Sequence, residues 1–189
     1  MFTLNASFLW LSDHSEKLTV RPLQAGDEAA LRSFHESLSP ASRALFTPHR
    51  YATETIRKLI RRRENGQDAI FVALNAARAI VAYFFLWYVD RPVALLGIGL
   101  ADAYQGKGLG RQLMEQLVEE GKKHGLAGIE LTTCLGNERA FVLYRKIGFR
   151  YIGDVENVDG TGQILIERAM FMPLKEGARP MTEPHAPPV

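Results

Sequence analysis

The sequence predicts a mixed α+β fold, one sheet with helices packed on it. Strand-like runs come first as a meander (Ala69–Leu74, Ile80–Val89, Val93–Leu100), and from there they alternate with helical segments. Leu109–His124 and Asn137–Ile147 carry apolar residues at helical spacing. At 189 residues, 47% hydrophobic and 23% charged, the chain has the size and composition of one ordinary globular domain.

Residues 1–17 read as an N-terminal extension without a clear pattern. Leu18–Leu23 (LTVRPL) is a strand, and Gly26-Asp27 opens a helix running to about Leu38. Ser39-Pro40 breaks that helix, and a second follows around Thr53–Arg63. Asn75–Arg78 suits a hairpin between Ala69–Leu74 and Ile80–Val89. Asp90-Arg91-Pro92 turns the chain into Val93–Leu100. The helix Leu109–His124 places Leu109, Leu113, Met114, Leu117 and Val118 on one face and stops at Gly125. Gly128–Thr133 is a strand. Asn137–Ile147 has Asn137 as a good N-cap, Gly148 as a good C′ residue, and Ala140, Phe141, Tyr144 and Ile147 on one stripe. Tyr151–Val155 and Gln163–Met172 are final strands around the turn Asp159–Gly162. The domain spans 18–174. Residues 175–189, with four prolines and no apolar period, read as a disordered tail.

Composition removes several function classes. One cysteine, Cys134, excludes an intramolecular disulfide framework and a Cys-based zinc cage. The five histidines show no ligand spacing, so no metal is expected. No apolar run approaches the roughly 20 residues of a membrane span, and Met1–Trp10 lacks the pattern of a secretory signal, so a cytoplasmic location without membrane contact is expected. A net charge of +2 gives no argument for nucleic acid. The basic cluster Arg57, Lys58, Arg61, Arg62 and Arg63 lies beside an Ile56, Leu59, Ile60 stripe. It reads as the solvated face of an amphipathic helix, because no aromatics interleave with it as on a single-strand platform.

The most informative segment is Leu96–Arg111, LGIGLADAYQGKGLGR. A strand runs into Gln105-Gly106-Lys107-Gly108-Leu109-Gly110, and an amphipathic helix starts there. Missing Cβ atoms let backbone N–H groups approach a ligand, the helix N-terminus adds free donors and its dipole, and Lys107 adds a charge. This is an anion site. A triphosphate-binding P-loop fails on Ala101 and Gly108, where glycine and Ser/Thr are required. A dinucleotide fingerprint fails at Arg111.

The segment Gln105–Gly110 fits the Arg/Gln-x-x-Gly-x-Gly/Ala coenzyme A motif, and here the chain resembles the GNAT superfamily of N-acetyltransferases. Downstream, Asn137 to Phe149 (NERAFVLYRKIGF) is similar to that family's Asn-x-x-Ala-x-x-x-Tyr-x-x-x-Gly-Phe segment. The resemblance covers roughly residues 18–174. It implies a mixed, mostly antiparallel central sheet with helices on both faces, splayed between two parallel strands, Val93–Leu100 and Gly128–Thr133. Acetyl-CoA would be the co-substrate, seated at that splay. Ile98, Gly99 and Leu100 would bond its pantetheine arm through their main chain. Gln105, Gly106, Lys107, Gly108, Leu109, Gly110 and Arg111 would hold the pyrophosphate, and Asn137 and Tyr144 would contact the cofactor. Gly97 and Gly99 inside a strand independently suggest a bulge or close approach of a ligand.

The implied reaction is direct attack of a primary amine on the acetyl thioester. A lysine-like amine of pKa ~10.4 must lose a proton, and a thiolate leaving group must be met by one. Tyr144 matches the family's general-acid tyrosine; otherwise it is a core residue. For the base, histone-acetylating members place a glutamate on the strand equivalent to Val93–Leu100, which has none. Members acting on ribosomal-protein N-termini place one at the position of Thr132. Glu130 shares that strand face about 7 Å away and is the candidate base acting through a water, against a salt-bridged or solvated alternative. Cys134 reads as a small buried thiol. Tyr83, Phe85 and Trp87 alternate with Phe84, Leu86 and Tyr88 as sheet core, and one face could wall the acceptor pocket. His35, His49, Arg50 and Tyr51 lie where such proteins contact the acceptor. The acceptor itself (small molecule, peptide or protein) and the oligomeric state, a homodimer included, stay open. A non-catalytic acyl-CoA-binding module is the competing reading.

Overall fold

The computed structural model describes residues 7–10, 16–181 and 187–189. Among these residues eight strands form one sheet in the order β1-β2-β3-β4-β5-β6-β8-β7. They are β1 Ser7–Trp10, β2 Lys17–Pro22, β3 Ala69–Leu74, β4 Ile80–Trp87, β5 Val93–Leu100, β6 Gly128–Cys134, β7 Arg150–Val158 and β8 Ile164–Pro173. Every neighbouring pair is antiparallel except β5 and β6. Among the described residues five α-helices accompany them: α1 Glu28–Ser37, α2 Pro40–Leu45, α3 Thr53–Glu64, α4 Leu109–Lys123 and α5 Glu138–Ile147.

The parallel pair positions the site. Its register runs Val93↔Gly128, Ala94↔Ile129 and Leu95↔Glu130 and then stops, although both strands continue. Beyond Leu95 the two strands diverge, and the inner edge of Leu96–Leu100 loses its sheet neighbour.

Both faces of the sheet are covered, which is why β3 and β4 are buried at every position rather than alternately. On one face Phe71, Phe84 and Leu86 meet α4 residues Leu113, Met114 and Leu117, with Tyr144 and Phe149 beside them. On the other, Tyr83, Phe85 and Trp87 meet Leu31 and Phe34 of α1 and Ile56, Leu59 and Ile60 of α3. Each such aliphatic side chain contributes about 1.5–3 kcal/mol by leaving water. The basic helix α3 is laced to acids: Arg62 forms two bonds to the buried Asp68, at 2.6 and 2.9 Å, and Arg57, Arg61 and Arg63 meet Glu28, Glu54 and Glu64.

Three expectations change. Residues 7–10 of the extension form an edge strand against β2. Ser39-Pro40 ends α1 as expected, and it also starts an unexpected short helix, α2: the Ser39 hydroxyl accepts from Ser42 N at 3.2 Å and proline occupies the first turn, where its missing N–H costs nothing. The tail, expected to be disordered, lies on the body where it is described. Met181 and Val189 pack against the α1/α3-side core, and Met181 N donates to Glu130 Oε1 at 2.6 Å. Apolar side chains with a core to cover outweigh the absence of periodicity. Among the described residues no helix is long and apolar enough to cross a membrane.

Candidate active site

A cleft of about 430 Å³ opens where β5 and β6 part. Its walls are Leu95–Leu100 of β5, Thr132–Cys134 of β6, the glycine turn, and Asn137, Arg139, Ala140, Leu143 and Tyr144 at and along α5. Leu45 at the end of α2, Phe46, Thr47 and Pro48 after it, Asn157, Val158 and Asp159 at the β7–β8 turn, Leu165, Glu167 and Pro187 complete the lining.

The turn has the geometry of an anion cradle. Gly106 and Gly108 have φ of +77° and +79°, a region costing an L-residue about 1–2 kcal/mol. Gly108 is the N-cap of α4, and the first helical bond runs from Gln112 N to Gly108 O at 3.2 Å. The amides of Leu109, Gly110 and Arg111 therefore have no intrahelical acceptor and sit at the positive end of the helix dipole. A Cβ on Gly106 would stand 2.7 Å from Arg139 Nη2, so a guanidinium already approaches the cradle. Arg111 lines the same end. Free amides, two guanidinium groups and an unpaired strand edge suit a ligand that joins phosphates to an amide-bearing arm, and acetyl-CoA is such a molecule.

Of the residues expected at the site, Ile98, Gly99, Leu100, Gln105, Gly106, Gly108, Gly110, Arg111, Asn137 and Tyr144 all line this cleft. Lys107 is half-buried outside the lining, and the Leu109 side chain is fully buried in the core, so only its backbone serves the turn. Gln105 donates to Leu100 O at 3.2 Å and to Ser42 Oγ at 3.1 Å, tying the turn to β5 and α2. Asn137 Oδ1 caps α5 by accepting from Ala140 N at 3.2 Å. Tyr144 is 9% exposed, edge-on to Phe149 at 6.3 Å, and burial, with the neighbouring Cys134 and the Glu167 carboxylate adding to it, raises its phenol well above the ordinary value.

Glu130 is not brought to the cleft. Its side chain is fully buried at the last position where β6 pairs with β5, below the splay and under Met181. The two-residue spacing from Thr132 is correct, but the strands have not yet separated there. Gly97 and Gly99 also have a different cause. The β4–β5 register is regular through both, and a Cβ would collide with the Phe85 ring at Gly97 and the Phe46 ring at Gly99. Aromatic rings alone are enough to require these glycines, which also line the cleft. Among the acceptor-contact expectations, His35, His49, Arg50 and Tyr51 lie outside the lining; His49 is buried and bonded to the Tyr83 hydroxyl at 3.0 Å.

Sequence reasoning missed a polar row at the acceptor end. Asn157 Nδ2 reaches Thr132 Oγ1 at 3.3 Å and Glu167 Oε2 at 2.8 Å, and Cys134 Sγ donates to Glu167 Oε1 at 3.4 Å. Burial and the Glu167 charge push the Cys134 thiol up to about 11, which makes it inert as a nucleophile at neutral pH. The row exists only because Cys134 pairs with Glu167 across β6 and β8, a non-local register that no short motif encodes. The α2 segment is fastened above it: the Asp102 carboxylate accepts from Ser39 N (2.8 Å), Ser39 Oγ (2.9 Å) and Ser42 Oγ (2.5 Å), which lowers its pKa. Among the described residues no three His, Cys, Asp or Glu side chains gather as a metal site.

Comparison with known proteins agrees with this geometry. The chain is 40% identical over 84 residues to the ribosomal protein bS18-alanine N-acetyltransferase of Escherichia coli K12, covering 44% of this chain and 57% of that protein. The chain thus matches little more than half the length of that curated relative. Among solved structures, the GNAT domain of S. lividans PAT superposes with a TM-score of 0.72 at 16% identity, covering 89% of this chain and 96% of that one. Spermidine N-acetyltransferase from Vibrio cholerae, in complex with CoA and spermine, gives 0.66 at 21% identity, covering 83% and 95%. These two likenesses concern the fold. The model of the acetyltransferase (GNAT) family matches residues 31–149, from α1 through the glycine turn to Phe149, and the chain belongs to that family.

Proposed function

We propose that this protein transfers the acetyl group of acetyl-CoA to a primary amine by direct attack. The observation that carries the reading is the parting of β5 and β6 after Leu95↔Glu130, with an anion cradle and Tyr144 on one side and a polar acceptor end on the other. The turn amides of residues 106–111, with Arg111 and Arg139, would hold the pyrophosphate. The open edge of Ile98–Leu100 would pair with the pantetheine amides. Bound acetyl-CoA supplies a thioester whose carbonyl carbon an amine can attack. Tyr144 stands ready as the acid: burial keeps its phenol protonated, so it can hydrogen-bond or protonate the departing sulphur. A cytoplasmic site of action belongs to this proposal and rests on the sequence alone.

The relatives named above act on a ribosomal-protein alanine and on a polyamine, so both acceptor types belong in the test. Acetyl-CoA is titrated calorimetrically, and CoA thiol release is then followed with an alanine-initiated peptide, a lysine peptide and spermidine. Binding with amine-dependent release supports an enzyme. Binding without release from any of them supports the acyl-CoA-binding module, a reading that the burial of Glu130 favours.

A further inference from the structure

We infer that Glu167 of β8 is the group that takes the proton from the incoming amine. The inference rests on the acetyl-transfer reading above and names a residue which that reading leaves unassigned.

Among the described residues two carboxylates line the cleft, Asp159 and Glu167. Asp159 is committed to its own turn, where Oδ1 accepts from Thr161 N (2.8 Å), Thr161 Oγ1 (2.6 Å) and Gln163 N (3.0 Å). Glu167 is half-buried and held from two sides, by Asn157 Nδ2 on Oε2 and Cys134 Sγ on Oε1. A carboxylate offers about four acceptor positions, so two donors orient it and leave room for an ammonium or a bridging water. It stands beyond the point where β5 and β6 part, in the same cleft as Tyr144, and near enough that its charge contributes to raising the Tyr144 phenol. A base at the acceptor end and an acid beside the cofactor wall is the division that amine acylation requires.

The protons balance as follows. The ammonium gives one proton to Glu167, which passes it to solvent. The amine nitrogen then bonds to the acetyl carbon, and the carbon–sulphur bond breaks. Sulphur takes a proton from Tyr144, and the second proton lost by nitrogen restores that phenol.

Glu167 touches Cys134 of β6 and Asn157 of β7, and the other titratable or charged groups lining the same cleft are Asp159 of the turn, Tyr144 of α5, Arg111 and Arg139. The Cys134 thiol, near 11, and the higher Tyr144 phenol stay protonated through pH 6–10. The acceptor amine itself titrates inside that window at about 8 for a peptide N-terminus, and just above it at about 10.4 for a lysine-type amine.

The test compares wild type with Glu167→Gln, using acetyl-CoA and whichever of the alanine peptide, lysine peptide and spermidine turns over fastest. At pH 7 the variant should lose about 10²–10⁴-fold in kcat/KM, the usual share of a general base, with unchanged acetyl-CoA affinity. The deficit should shrink as pH rises through the amine's own pKa, because a neutral amine needs no base. A merely structural role would give the same deficit at every pH. Should Glu167→Gln not fold, Glu167→Ala with added formate replaces it: rate loss without formate and recovery with it supports the assignment. Wild-type rates in either folded variant, or a pH-independent deficit, overturn it. A wild-type protein that acetylates none of the three amines defeats the acetyl-transfer reading itself, and the assignment with it.

Discussion

Tyr144→Phe separates the chemistry of the cleft from its architecture. The substitution keeps the ring, which is 9% exposed and edge-on to Phe149 at 6.3 Å, and removes only the hydroxyl. Among the described residues no hydrogen bond engages that hydroxyl, so folding loses no polar contact. The stability change should stay below about 1 kcal/mol, or about 2–4 °C in Tm at this chain length. The rate should behave differently. A buried phenol with a raised pKa is a weaker acid than the CoA thiol, so its service begins as a hydrogen bond to the developing thiolate and the proton moves to sulphur late, as nitrogen gives up its own. That places the loss at the lower end of general-acid effects, about 10²-fold in kcat, equivalent to about 3 kcal/mol of barrier. Thiol release under saturating acetyl-CoA measures kcat, calorimetry measures affinity, and a single-turnover experiment shows whether chemistry limits the rate. An unchanged kcat with chemistry rate-limiting would refute the acid role; a lowered Tm with an unchanged rate would make Tyr144 a core residue only.

Three further outcomes follow from the same geometry. Gly108→Asp places a side chain at φ +79° and a negative charge at a helix N-terminus, and should abolish measurable CoA binding by calorimetry; a folded variant with wild-type affinity would contradict the phosphate site. Asp102→Asn loosens three bonds to α2 and should raise the acceptor KM more than the acetyl-CoA KM. In wild type, with its pKa lowered from 3.8, this carboxylate holds α2 in full above that value and releases it only as pH falls through the lower folded pKa, a step followed by α2 hydrogen exchange and absent from the variant. His49 is neutral in the fold, held to about 4 by burial from an ordinary 6.5, so the unfolded chain binds the extra proton between those values. Stability should therefore be full above pH 6.5 and fall by roughly 3 kcal/mol toward pH 4, at ~1.4 kcal/mol per pKa unit, and denaturant melts of His49→Gln should lose most of that slope.

Local chemistry made much of this readable in advance. The β5 bounds, the start of α4 at the glycine turn and the Asn137 cap depend on neighbours within a few residues, and they appear where the sequence places them. The cleft's cofactor side shares that property, because glycines, a helix N-terminus and a strand edge adjoin in the chain. Its acceptor side does not. Glu130 and Glu167 look alike as single acids on strands, and only the point where β5 releases β6 and the register Cys134↔Glu167 decide that one is sealed and the other faces the cleft. Gly97 and Gly99 were legible as close approaches but not as approaches of Phe85 and Phe46, which come from a neighbouring strand and from the segment after α2. Ser39-Pro40 carried a usable signal, since a serine cap followed by proline opens a helix as readily as it closes one.

The most direct test of acetyl transfer uses acetyl-CoA labelled in its acetyl group, with mass spectrometry of the amine product beside thiol release in one reaction. The account predicts one labelled acetyl on the acceptor nitrogen for each CoA thiol released, with both signals lowered together in Tyr144→Phe. Thiol release without labelled amine, or tight acetyl-CoA binding with neither signal for any of the three acceptors, would contradict it.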